Sequence, residues 1–123
     1  MISNKQKGDM GEAVAMAYLE LHGFTVIKTN ERNKHGEIDI IATNKDKKSN
    51  IIYHFIEVKM RSGSNYGYGR EAVDSAKQKR IRGAAQFYLI EKQLYDKVFC
   101  CFDVLELSGG LNNYEIEFLE NCF

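Results

Sequence analysis

No apolar run in the chain approaches the length that a membrane-spanning helix requires. The opening Met1-Ile2-Ser3-Asn4-Lys5 has none of the apolar centre of a secretion signal, so a cytoplasmic protein without a membrane partner is expected. Cysteine is scarce. Cys100, Cys101 and Cys122 stand in no C-x-x-C or other metal-binding spacing, and the adjacent pair is expected to be reduced and in the core. Net charge is also lacking, since 17 Lys+Arg balance 17 Asp+Glu. That total gives no sign of the basic excess usual in nucleic-acid binders. No internal repeat or low-complexity linker divides the chain. What remains is 123 residues, 44% hydrophobic, which read as one globular domain over 1–123 with enough chain for a core.

The distribution of charge is less neutral than its sum. Residues 1–82 carry 15 Lys+Arg against 10 Asp+Glu, a net of +5, and residues 83–123 carry 2 against 7, a net of −5. Such a split suits a protein with one basic, phosphate-seeking side and one acidic side, although a solvated surface can also be lopsided by chance.

Chemistry concentrates between Gly36 and Lys59. Gly36-Glu37-Ile38-Asp39-Ile40-Ile41-Ala42 and Ile51-Ile52-Tyr53-His54-Phe55-Ile56-Glu57-Val58-Lys59 are both rich in β-branched and aromatic residues, and read as two strands of a hairpin. Asp39, Glu57 and Lys59 interrupt these apolar runs, and charges in such places need partners. Alternation puts Glu57 and Lys59 on one face. A register with Ile41 facing Phe55 and Thr43 facing Tyr53 sets Asp39 opposite Glu57 and leaves Lys47-Lys48-Ser49 as a turn. Directly opposed Cβ atoms lie roughly 4.5–5.5 Å apart, so the two carboxylates repel unless a cation or proton sits between them. A hard divalent ion would suit, with Lys59 beside it to activate water or neutralise phosphate charge. The plainer alternative is a structural salt bridge between Lys59 and one carboxylate.

The remaining elements follow from periodicity. Met10, Ala13, Val14, Ala17, Tyr18 and Leu21 predict a helix over Asp9–Leu21, stopped at His22-Gly23. Glu12 in its first turn points along an apolar flank; complementing the helix dipole would account for it equally well. A strand from Phe24 towards Arg32 and a turn at Asn33–Gly36 precede the hairpin, with His35 expected to be exposed. After Arg61, the Gly/Ser-rich segment through Tyr66, Tyr68 and Arg70 reads as a flexible loop, whose tyrosines either stack on unpaired bases or pack the loop down. Ala72–Glu91 predicts a second helix, N-capped by Asp74 or Ser75, with Ile81, Ala84, Ala85, Tyr88 and Leu89 buried. Its first half holds Lys77, Lys79, Arg80 and Arg82, four cations in six residues, which suit phosphate contacts. Val98–Leu105 is a buried strand in which Asp103 is expected to pair with an arginine. Ser108-Gly109-Gly110 is read as a turn, and Tyr114–Phe118 as a final alternating strand. The order is α-β-β-β-α-β-β, an α/β arrangement with a mixed sheet and flanking helices.

Gly36-Glu37-Ile38-Asp39 followed by Glu57-Val58-Lys59 resembles the motif of the PD-(D/E)xK nucleases, the restriction-endonuclease-like superfamily. Nearly the whole chain, from Gly8 to the last strand, is similar to the YraN-like branch, which is related to archaeal Holliday junction resolvases. The chain has no proline at all, and Ile38 stands where the motif's proline would precede the aspartate. The resemblance implies a nuclease that uses Mg2+ (or Mn2+) to hydrolyse DNA, including branched DNA. It implies metal ligation by Asp39, Glu57, the Val58 carbonyl and Glu12, whose Gly11-Glu12 matches the family's N-terminal helix glutamate. It further implies catalytic roles for Lys59 and for Gln78, on the second helix. DNA would be contacted by Arg61, Tyr66, Tyr68, Arg70, Lys77, Lys79, Arg80 and Arg82. A homodimer is also expected, because a junction has two-fold symmetry. A binding adaptor of the same fold, without cleavage, is the alternative.

Overall fold

A computed structural model describes residues 4–61, 73–110 and 113–123. Helix α1 (Asn4–Leu21) is followed by strands β1 (Thr25–Asn33), β2 (Gly36–Lys45) and β3 (Ile51–Arg61). Helix α2 (Ser75–Glu91) leads to β4 (Phe99–Gly110) and β5 (Asn113–Leu119). The predicted order α-β-β-β-α-β-β is the observed one, and the fold is the restriction-endonuclease-like α/β arrangement.

The strands lie in one sheet in the order β1-β2-β3-β4-β5. All neighbours are antiparallel except β3 and β4, which run parallel and are joined through α2. Period-two alternation divides the core. Ile41, Phe55 and Val104 pack with Ile81, Ala84, Ala85, Tyr88 and Leu89 of α2. Ile40, Ala42, Ile56, Leu105 and Leu107 pack with Ala15 and Leu19 of α1. The five α2 residues expected from helical spacing are the buried ones.

Two contacts fix the start of β2 against α2. Asn33 Nδ2 donates to the Ala84 carbonyl at 3.1 Å, and the His35 ring lies 5.7 Å from that of Phe87. A side chain at Gly36 would meet the Arg80 carbonyl, so the hairpin backbone sits directly on the helix. The other end of α2 is equally defined: Asp74 is the N-cap, accepting from Lys77 N at 2.8 Å.

Three expectations need correction. Ser108, Gly109 and Gly110 belong to β4, pairing with Glu115, Tyr114 and Asn113, so the chain reverses beyond them. Gly109 has φ +97°, and a Cβ there would stand 2.5 Å from the Asn113 carbonyl oxygen; close approach of β5 is what requires the glycine. Cys100 is exposed and Cys101 half-buried, because burial on β4 begins only after its first residues, and all three thiols are free. Asp103 pairs with His54, not with an arginine, as neither β3 before Arg61 nor β4 offers one.

Candidate metal centre

Asp39 and Glu57 meet where the sheet forks. The β2–β3 ladder pairs Thr43 with Tyr53, Ile41 with Phe55 and Ile40 with Ile56, the expected register, and one further step sets Asp39 against Glu57. There the ladder ends. Asp39 Oδ2, not a backbone carbonyl, accepts the Val58 N–H at 2.9 Å. Beyond this point β2 stays with β1 as far as Gly36, and β3 stays with β4 as far as Arg61. The two carboxyls therefore face each other at the mouth of a gap between diverging strands.

Their electrostatics are those of a crowded pair. Burial, then the charge of Glu57, pushes the Asp39 carboxyl up from 3.8 to about 7; the Val58 N–H opposes the rise, and Glu12 adds to it. Without a metal ion the Asp39 carboxyl therefore tends to keep its proton.

Two ammonium groups complete the site. Lys77 Nζ lies 2.5 Å from Glu57 Oε1, and Lys59 Nζ lies 3.4 Å from the same oxygen. The Glu57 side chain is 7% exposed, those of Lys59 and Lys77 23% and 31%. Lys59 is held below the ordinary lysine range by burial and then by Lys77. Burial also pulls on Lys77, but its bond to Glu57 prevails and the net shift is upward. The two differ because the Glu57 oxygen lies 2.5 Å from Lys77 but 3.4 Å from Lys59, so the closer ion pair holds its proton more firmly.

Glu12 approaches from α1, across the sheet from α2. Its carboxyl is raised by burial, opposed by a hydrogen bond from Asn30, and raised further by Asp9 and Glu37. Its Oε1 is buried and has no hydrogen-bond partner among the described residues. Among those residues, Glu12, Asp39 and Glu57 do not bring three oxygens within 4.8 Å of one another. Gln78 Nε2 donates to the Val73 carbonyl at 2.9 Å, fixing the chain as it enters α2. Lys79 and Arg80 are exposed on α2, while the Arg82 guanidinium lies 4.6 Å from the centroid of the Phe102 ring. Tyr66, Tyr68 and Arg70 lie outside the described residues, as does the Arg61 side chain.

Sequence reasoning missed two neighbours. The sequence points Lys77 to phosphate contacts alone, yet among the described residues it makes the shortest ion pair of the site. Glu106, 5% exposed, stands in register beside Lys59 on β4; charge within an apolar strand was the signal for it, as it was for Asp39 and Glu57.

A second polar group is buried at 0% exposure. His54 Nδ1 donates to Asp103 Oδ2 at 2.7 Å, Asn44 Oδ1 lies 2.8 Å from Nε2, and Asp103 Oδ1 accepts from Asn121 N at 2.6 Å. Cys101 adds a thiol within 4.8 Å, making this the one set of three metal-type ligands so close together among the described residues. Burial and then Asp103 push that thiol up to about 11, so it stays protonated, and the ring and carboxylate satisfy each other. The group ties the C-terminal segment to the sheet.

A forked mixed sheet between two helices, with opposed carboxyls and a Glu-Val-Lys strand at the fork, defines a restriction-endonuclease-like α/β protein. Residues 11–107 match the family described as "Uncharacterised protein family UPF0102". A UPF0102 protein of Clostridium botulinum (strain 657 / Type Ba4) is 44% identical over 122 residues, covering 98% of this chain and 95% of the relative. One from Clostridium perfringens (strain 13 / Type A) is 39% identical over the same length and coverage. The chain belongs to UPF0102, the YraN family, within the restriction-endonuclease-like superfamily.

Proposed function

We propose that the protein is a divalent-cation-dependent endonuclease that hydrolyses DNA phosphodiester bonds, with branched, Holliday-junction-like DNA as its substrate class. The observation that carries this reading is the Asp39–Glu57 pair: two desolvated carboxyls held face to face, one with its pKa raised to about 7. Bringing such groups together is costly unless a cation offsets the repulsion. The donor set fits a hard ion, being oxygen throughout, and Glu12 Oε1 is a buried acceptor lacking a hydrogen-bond partner among the described residues. Asp39 and Glu57 would hold Mg2+ or Mn2+, with the Val58 carbonyl and Glu12 as further ligands. When bound, such an ion neutralises phosphate charge and acidifies a water.

The chain's own residues supply the rest. Lys59 Nζ, its proton loosened by burial and by Lys77, handles proton transfer to or from the attacking water, or offsets charge on the phosphate. Lys79 and Arg80, exposed on α2, supply phosphate contacts that orient the DNA. A non-catalytic nucleic-acid-binding adaptor is the second reading. One observation favours it, namely that Glu57 already has two ammonium partners, as in a structural ion-pair network.

Labelled junction, flap, duplex and single-stranded DNA, incubated with Mg2+ or Mn2+, separate the two. Cleavage is expected for wild type, with junctions preferred, and for neither Asp39→Ala nor Lys59→Ala. Lys59→Ala should retain Mn2+ binding and most DNA affinity. Binding without cleavage of any substrate by wild type would select the adaptor.

A further inference from the structure

Glu57 Oε1 is shared by two ammonium groups. It lies 3.4 Å from Lys59 Nζ, two residues away on its own strand, but only 2.5 Å from Lys77 Nζ, twenty residues on and in another element. The backbone beneath Lys77 is fixed by the Asp74 cap at 2.8 Å and by the bond from Gln78 Nε2 to the Val73 carbonyl at 2.9 Å. Its side chain is not fixed in that way. A four-carbon stem, 31% exposed, can swing its ammonium into water without any movement of the helix.

We infer that Lys77 is an exchangeable counter-ion: its ammonium holds Glu57 Oε1 in the cation-free protein, and a divalent cation entering the site displaces it. The inference rests on the cation-site reading above and goes beyond it by naming what occupies the site beforehand. A hard divalent ion binds a carboxylate oxygen at about 2.0–2.2 Å. With an ammonium 2.5 Å from the same oxygen, the two positive centres would be less than about 5 Å apart in a partly desolvated site, where like charges are poorly screened and repel each other. One must leave. Glu57 is buried on a central strand, so the mobile partner is Lys77. Once released, its Nζ remains on the rim of the site, the position from which a phosphate can be paired. Cation loading then frees a phosphate contact, and by linkage DNA phosphate should tighten the cation by the same factor.

Mn2+ binding to the cation-free protein, measured by calorimetry and by electron paramagnetic resonance of free Mn2+, tests this without any cleavage assay. Lys77→Met and Lys77→Gln should each bind Mn2+ about five- to tenfold more tightly than wild type. Lys79→Met, which makes the same charge change on the exposed side of α2, should alter binding less than about twofold. The 13C signal of reductively methylated Lys77 should move as Mg2+ is added. If both Lys77 variants match Lys79→Met and the Lys77 signal stays still while Mn2+ binds, the exchange is wrong and the cation site stands. If neither wild type nor the Lys77 variants bind Mn2+, the cation site fails and the exchange with it. Binding that appears only in the Lys77 variants would support the exchange in its strongest form.

Discussion

Replacing Asp39 by asparagine should stabilise the cation-free protein, and by an amount that depends on pH in a way no simple salt bridge reproduces. The folded state raises this carboxyl from 3.8 to about 7, chiefly by burial and by Glu57. A raised carboxyl binds its proton more tightly folded than unfolded. Its contribution to stability is therefore complete below about pH 4 and is lost progressively as pH rises through about 7. At about 1.4 kcal/mol per pH unit the full loss is at most about 4–5 kcal/mol, an upper bound because the surroundings of the carboxyl relax and water screens it. Asn mimics the protonated form, keeps an oxygen for the Val58 N–H now bonded at 2.9 Å, and offers an N–H to Glu57. In EDTA, urea midpoints of wild type and Asp39→Asn should nearly coincide at pH 4. They should separate steadily to pH 7, with the variant ahead, and stay parallel above. A Mn2+ series should then reverse the order, since a ligand at about 100 times its Kd contributes about 2.7 kcal/mol to wild type, and the variant should lose most of that. A variant that melts well below wild type at pH 8 in EDTA, beside a wild type indifferent to Mn2+, would refute the reasoning. It would mean that Asp39 serves as an ordinary ion-pair partner.

Two further outcomes follow from the surrounding structure. Neutralising Lys79 and Arg80 together should weaken duplex binding similarly across sequences and flatten the log K against log salt slope by roughly 0.9 per lost contact, checked by fluorescence anisotropy over a salt series; an unchanged slope would make this face merely solvated. Asp103→Ala strands a fully buried imidazole and removes the acceptor for Asn121 N, so urea unfolding should show a loss of roughly 3–5 kcal/mol, while Cys100→Ser, at an exposed thiol, should change stability by less than about 0.5 kcal/mol.

Much of this arrangement is legible in the residues themselves. The opposition of Asp39 and Glu57 follows from aligning Ile41 with Phe55 and Thr43 with Tyr53, because a slip of one residue would swap every side chain of the strand between the α1 and α2 faces of the sheet. The α2 stripe is legible for the same kind of reason: spacings of three and four residues mark one face of a helix whatever it packs on. Gly23, at φ +88°, marks the end of α1 where the sequence predicts it. The turn misplaced at Ser108–Gly110 shows the limit of such local signals. Two glycines suggest a reversal, but here one of them lets β5 approach closely within a continuing pair of strands.

The sequence alone therefore determined the elements, their order, the hairpin register and the charged residues that interrupt the apolar strands, since each depends on periodicities of two or 3.6 residues within a short window. Only the tertiary structure decided which charges meet. Lys77 reaches Glu57 because the parallel β3–β4 crossover lays the start of α2 over the fork, and periodicity within a helix carries no information about the strand beneath it. His54 finds Asp103 across 49 residues for the same reason, through the register of two parallel strands that no local pattern specifies. Glu12 lies on the far side of the sheet from α2 because successive side chains of β2 point to opposite faces, so α1 covers Ile40 while Asp39 turns towards Glu57.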